Sequence, residues 1–465
     1  MKINLTKNLK TYTGLHSSVF SAYFLALAPI LAMLGSVISF LIVGDVTTIG
    51  LLSRYIYVYF FVFIILFLAV DLYSLIIHDR KIDPTPLKLK HTPEVILLMC
   101  FLGYIIIATL LQLLVFKHSY AFTTSVSKYN VQEGLFAYIV YAICFFVAYT
   151  VCDKEITKNI LKTFGLVSLV VGLFAIIDPT AKLWIHSVHN TNWASMFINS
   201  NHFGYYLALA TPLFAMGIVF SKKTYAKVVS IVGYIFLCFI SMYCDTFGSL
   251  LAIFAGLILL PFIMWWFKKK FDYKTLIPLG IFVVVSFLAI PFAKYLSTTY
   301  RSFFAQIGGL VKDFFTITKD PTSEVAEKAG TNRWGLWLKA FNEVKDSPLI
   351  GTGNVYLRPH NEYLQFAQVW GIPSVLIYLS AIIVILAKSV KYRAKISNLT
   401  LVLLFMSCVY WVSAFFGNTM PHTTPLYLLI LGLLIRQLNL DILNSKTPTN
   451  LATIEPTEKA PETPN

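Results

Sequence analysis

The sequence predicts an all-α, polytopic integral membrane protein of about twelve transmembrane helices with one large extracytoplasmic loop. Three observations predict it. Hydrophobic residues make up 57% of the 465 positions and charged residues only 13%, with a mean hydropathy of +0.72, far from a soluble domain. Apolar runs of membrane-crossing length, about twenty residues each, recur along the chain. The basic residues gather in short connectors between those runs, the pattern of cytoplasmic loops.

Taken in order, the runs place spans at 17–43, 55–77, 94–116, 135–151, 159–177, 202–220, 226–244, 248–267, 275–293, 364–387, 398–416 and 424–440. The first is long enough to stay as a signal anchor, so no cleavable leader is expected. The fourth is short. The eighth and ninth contain Pro261 and Pro278, which neighbouring helices can accommodate. Asp71, near the end of the second, is the clearest acid inside a span. No internal repeat is evident. The chain divides into a nine-helix region (1–293), an outer loop (294–363), three further spans (364–440) and a Thr-, Pro-, Glu- and Lys-rich tail (441–465) expected to be disordered in the cytoplasm.

Charge orients the spans. Of the 37 Lys and Arg, 24 fall with the termini and the even-numbered connectors, 4 in the short opposite loops and nine within 294–363. Long loops count little in this bias, so both termini are expected in the cytoplasm and 294–363 outside. The net charge of +15 is thereby spread along connectors, which points to membrane lipids and not to nucleic acid. The six cysteines lie in or beside spans without metal-ligand spacing and read as small apolar residues, with Cys244 alone facing outward.

The chemistry concentrates in Gly330–Gly371. Gly330 breaks the preceding segment and Thr331 or Asn332 can cap a helix starting at Arg333, which Asp346-Ser347-Pro348 ends. Before it, residues 295–310 suit an amphipathic segment on the bilayer, and 320–330 a polar linker. Gly351-Thr352-Gly353-Asn354 reads as a flexible turn ahead of Arg358-Pro359-His360-Asn361. An arginine in a first helical turn favours an anion, and a histidine at a membrane surface can act as a general base. An ordinary interfacial helix with a snorkelling arginine is the plainer alternative. Six histidines (His118, His186, His189, His202, His360 and His422) fall at the outer side; His186 and His189 are spaced to ligate a metal, but no outer carboxylate or cysteine accompanies them.

R-x-x-x-W at Arg333–Trp337, SPLIGTG at Ser347–Gly353 and HNEYLQFAQVWGIPSVL at His360–Leu376, with N-x-N-H-x-x-x-x-L at Asn199–Leu207, resemble the O-antigen ligase and O-antigen polymerase superfamily. The resemblance covers about 198–435. It implies a membrane glycosyltransferase of the C class in the bacterial cytoplasmic (inner) membrane. The donor would be an undecaprenyl-diphosphate-linked glycan and the acceptor a glycan, lipid or protein hydroxyl, with no cofactor and no metal required. It assigns His360, paired with Asn361, as the catalytic base and Arg333 as the diphosphate-binding catalytic arginine; beside them Arg358, Asn361, Trp337, Asn201 and Arg301 are the candidate substrate contacts. Trp334, Tyr356 and Tyr363 would help seat the sugars or the lipid. The family's S-R-G arginine is missing, since Thr246-Phe247-Gly248 stands in its place; either Arg358 or Arg301 substitutes, or the carrier or the activity differs from the family's. A flippase of lipid-linked glycans is the rival class, and protein O-oligosaccharyltransfer the rival acceptor chemistry.

Overall fold

The computed structural model describes residues 16–43, 69, 92–116, 134–151, 153–179, 193–197, 199–244, 246–268, 271–296, 302–355, 357–420 and 423–444. Their regular structure is helical: α1 (His16–Val43), α2 (Pro93–Phe116), α3 (Leu135–Tyr149), α4 (Lys154–Ile177), α5 (Ser200–Phe220), α6 (Thr224–Tyr243), α7 (Phe247–Lys268), α8 (Leu276–Leu296), α9 (Phe303–Lys319), α10 (Ala329–Asp346), α11 (Glu362–Trp370), α12 (Ile372–Lys391), α13 (Asn398–Ser413) and α14 (Thr424–Asn444), with short 3₁₀ turns between some of them. Among the described residues nine helices, α2, α4 to α8 and α12 to α14, are long and apolar enough to cross a membrane. The chain is a multi-pass, all-helical membrane protein. Helices α1 and α3 are apolar as well, and α3, with 15 residues, is about 22 Å long. The expected span 55–77 is described only at Ala69, and Asp71 and the tail beyond residue 444 lie outside the described residues.

One expected span has a different start. The run 364–387 divides at Gly371, whose φ of 88° and ψ of 165° end α11 before α12 begins. With nine residues, α11 is about 14 Å long, too short to cross a bilayer. Pro278, expected inside a span, sits in the first turn of α8, where a missing N–H costs no helical hydrogen bond.

Helices α5 and α14 are the most enclosed, with 78% and 83% of their apolar windows buried. Helix α14 packs on α3, α5 on α6 and α13, and α12 on α2. The α3–α14 approach is close: a Cβ at Gly432 would lie 2.5 Å from the Phe145 carbonyl oxygen, the small-residue contact that lets apolar helices pack in lipid. At one end of the bundle ion pairs join Lys388 to the buried Glu94 and the partly exposed Lys154 to the buried Asp441, both at 2.7 Å. At the other end the starts of α5, α7 and α14 meet the end of α13. There Thr246 Oγ1 donates to the Ser200 carbonyl at 3.0 Å and Thr423 Oγ1 to the His202 carbonyl at 3.1 Å. Helices α9, α10 and α11 gather at that second end.

Candidate functional site

Arg333 begins the regular part of α10. The three residues before it, Gly330 (φ 60°), Thr331 (φ 59°) and Asn332 (φ 68°), are all left-handed. The turn expected at Gly330 is present, but Thr331 is not its cap: its hydroxyl turns back to the Gly330 carbonyl. The Asp313 carboxylate on α9 accepts the Gly330 N–H at 2.8 Å. Half-buried, Arg333 lies close enough to Tyr205 on α5 for its positive charge to act on that hydroxyl. That hydroxyl donates to the carbonyl of Phe416, which closes the 3₁₀ turn after α13. The arginine is therefore seated on the bundle's end, not loose in a loop.

His360 sits ahead of α11 in a left-handed conformation, φ 51°, and its N–H donates to Asn418 Oδ1 at 2.8 Å. Its Nδ1 is buried and meets no hydrogen-bond partner among the described residues; the carbonyl or carboxylate that would orient a general base is absent among them. Burial first, then the positive charges of Arg333 and Arg358, lower the imidazole's pKa to about 4. At neutral pH the histidine is uncharged and two cations face it. Arg358 itself is exposed.

Helix α10 and the His360 loop are built into one unit. The Trp337 indole donates to the Pro359 carbonyl at 2.7 Å. Glu343 of α10 accepts from Thr352 Oγ1 (3.0 Å), Asn354 Nδ2 (2.8 Å) and Gln368 Nε2 (3.0 Å). Ala340, Val344, Leu364 and Ala367 form a small separate core between α10 and α11. The segment expected as a flexible turn, 351–354, is instead a strap across the end of α11: Thr352 and Gly353 donate to the Gln368 and Val369 carbonyls at 2.9 and 3.1 Å. A Cβ at Gly351 would lie 2.4 Å from the Val369 carbonyl, so glycine is what permits the approach.

The structure brings Arg333, Arg358, His360, Asn361 and Trp337 to one end of the bundle. Asn361 caps α11, its Oδ1 accepting from Leu364 N at 3.0 Å. Asn201 is half-buried in the first turn of α5, one turn before Tyr205 and on the same helix face. Tyr363 lies elsewhere, buried, with its hydroxyl donating to the Trp411 carbonyl at 2.7 Å. Arg301, Tyr356, His118, His186, His189 and His422 lie outside the described residues. Cys244 does not face outward; it is 1% exposed and its thiol donates to the Ser200 carbonyl at 2.9 Å.

Where the arginine of an S-R-G sequence is missing, packing is tight. Thr246 is 1% exposed against Gly204, and a Cβ at Gly248 would lie 2.2 Å from Phe416 Cβ. Tyr205, Asn418, Asp313 and Glu343 were not found by sequence reasoning, and Glu362 was overlooked although its acid in an apolar run was visible. The Glu362 side chain is buried, accepts from the Tyr410 hydroxyl at 3.2 Å, and burial pushes its pKa up to about 8. With Phe101, Tyr138, Phe366, Tyr378 and Tyr427 it bounds an apolar cavity.

No curated protein matches the chain. Residues 232–379, from within α6 into α12 and including Arg333, Arg358 and His360, match the O-antigen ligase family. In this multi-pass membrane protein, the similarity to the O-antigen ligase family is confined to that stretch, about a third of the chain.

Proposed function

We propose that the chain transfers or polymerises an undecaprenyl-diphosphate-linked oligosaccharide onto an acceptor hydroxyl at the outer face of the bacterial cytoplasmic membrane. The observation that carries this reading is that two arginine charges act on one half-buried, neutral imidazole. Arg333 and Arg358 hold the donor diphosphate, the planar guanidinium matching its oxygens in pairs. The acceptor oxygen attacks the sugar's anomeric carbon as the carbon–oxygen bond to the diphosphate breaks. The proton of the acceptor goes to His360, and the arginines offset the charge on the departing undecaprenyl diphosphate. The diphosphate also counters the two cations that hold His360 low, so donor binding makes the base stronger.

The proposed arrangement has twelve spans, termini in the cytoplasm and α9 to α11 outside, as the basic connectors imply. Polar chemistry gathered at one end of the bundle favours transfer over transport, since transporters place such groups near the midplane. The acceptor is a glycan, a lipid or a protein. His360→Ala tests the reading: cells carrying it should accumulate lipid-linked glycan at normal protein abundance, with transfer down roughly 10²–10⁴-fold. Transfer by the purified variant within a few-fold of the parent would remove His360 from the chemistry.

A further inference from the structure

Helix α9 has three faces. Its first residue, Phe303, is 1% exposed and packs on Phe254 and Phe282 of α7 and α8, ring centroids 5.2 and 5.3 Å apart. Phe254 lies seven residues into α7, about 10 Å below that helix's end, so α9 starts inside the depth of the bundle. Asp313 marks the second face, turned to α10 through Gly330 N. The third face carries Phe304, Val311, Phe314 and Phe315, exposed by 37%, 49%, 61% and 66%. At about 100° per residue they share one stripe, with Ile307 between them, and the exposed Lys312 and Lys319 flank it.

That stripe is continuous with the surface the spans present to lipid. Phe304 stacks on Phe287 at 5.0 Å, and Phe287 is itself 56% exposed on a spanning helix, beside Val284 and Leu288 at 55% and 57%. A helix that starts below the bundle's rim, carries its apolar stripe on from a lipid-facing wall and keeps lysines at the stripe's edge has the pattern of an interfacial helix.

We infer that α9 is embedded in the bilayer leaflet at the site end, its stripe covered by lipid and Lys312 and Lys319 at the headgroups, and that through Asp313 it is a positioning element for Arg333. The link is short. Left-handed non-glycine residues cost about 1–2 kcal/mol each, and two of them, Thr331 and Asn332, follow Gly330 in sequence. The Asp313 carboxylate holds the first N–H of that strained turn, and Arg333 is the next residue. A helix floated on the leaflet thereby fixes the height at which the guanidinium stands over the membrane. The lipid contact does not depend on which reaction the site performs.

Nitroxide labels on the full chain in lipid nanodiscs test both parts, at single cysteines placed in a background lacking native ones. A label at Phe315 should be reached by oxygen and shielded from an aqueous nickel chelate, whereas labels at Lys312 and Thr322 should be reached by nickel. Equal nickel access at Phe315 and Thr322 would sink the lipid contact; shielding of Phe315 from both reagents would mean that a protein covers the stripe. For the second part, a label at Thr331 should be immobile in the parent and mobile in Asp313→Ala, with Asp313→Asn between them. If the Thr331 spectrum is unchanged in Asp313→Ala of normal abundance, α9 does not position Arg333.

Discussion

The Trp337 indole donates to the Pro359 carbonyl at 2.7 Å, and this one bond joins the helix that carries Arg333 to the loop that carries His360. Trp337 stands one turn after the arginine and Pro359 one residue before the histidine. Trp337→Phe keeps the ring and loses the donor, which costs about 1 kcal/mol of stability. The functional loss should be larger, roughly tenfold in transfer, because misplacement of about 1 Å can cost more than that. Membrane abundance measured beside glycan transfer separates the two. Equal transfer in Trp337→Phe would show that the Glu343 contacts alone set the spacing.

His360 has a sign that can be tested. Its pKa in the folded chain is about 4 against an ordinary 6.5, through burial and then Arg333 and Arg358. A histidine held neutral stabilises the fold above pH 6.5, and that contribution is lost as pH falls through 4. The acid limb of kcat/KM, which reports the free enzyme, should therefore lie well below pH 6.5. Arg358→Gln removes one of the two cations and should move that limb upward while raising KM for the donor. A limb that stays in place would show that burial alone depresses the histidine.

Glu362 titrates the other way. Burial raises its carboxyl to about 8 from 4.5, so its contribution to stability is complete below pH 4.5 and is lost as pH rises through 8. The parent should unfold more easily at pH 9 than at pH 6, by an amount on the order of 1 kcal/mol or more. Glu362→Gln keeps an acceptor for the Tyr410 hydroxyl and cannot ionise, so that part of the pH slope should vanish. Thermal unfolding in detergent at both pH values measures it. An identical slope in the variant would assign it to other groups.

These two residues also show what could be read in advance. The spans announced themselves because a hydrocarbon core demands long apolar runs, and eleven of the twelve expected runs fall on described helices, the remaining run, 55–77, being described only at Ala69. The break between α11 and α12 was hidden, because Glu362–Trp370 runs into Ile372 without a polar interruption and only the backbone of Gly371 separates them. Arg333 and His360 were visible through local motifs. Tyr205 and Asn418 were not, since each reaches the site from a distant helix end and carries no local signal. Cys244 was read as outward because it ends a span, yet the Ser200 carbonyl covers that end. The glycines at 351 and 353 looked like flexibility; in the fold they mark close backbone contact.

Gly371 gives the sharpest test of that last point. Its φ of 88° and ψ of 165° lie in a region that is essentially glycine-only. A Cβ there would stand 2.0 Å from the Leu349 carbonyl oxygen, against backbone that cannot swing aside. The neighbouring bonds hold that backbone in place: Ile372 N–H donates to the Pro348 carbonyl at 2.8 Å, and the buried Gln112 side chain donates to the Ile350 and Val369 carbonyls at 2.6 and 2.7 Å. Gly371→Ala must therefore lift the strap from α11, and it should destabilise the protein by about 3 kcal/mol or more. Gly309→Ala is the control, since nothing lies within 4 Å of a Cβ there and alanine favours a helix interior by up to about 1 kcal/mol. Folded yield after gel filtration should drop sharply for Gly371→Ala and stay level or rise for Gly309→Ala. Equal yields for the two would mean that the strap is free to move and that α10 and α11 are not locked as one unit.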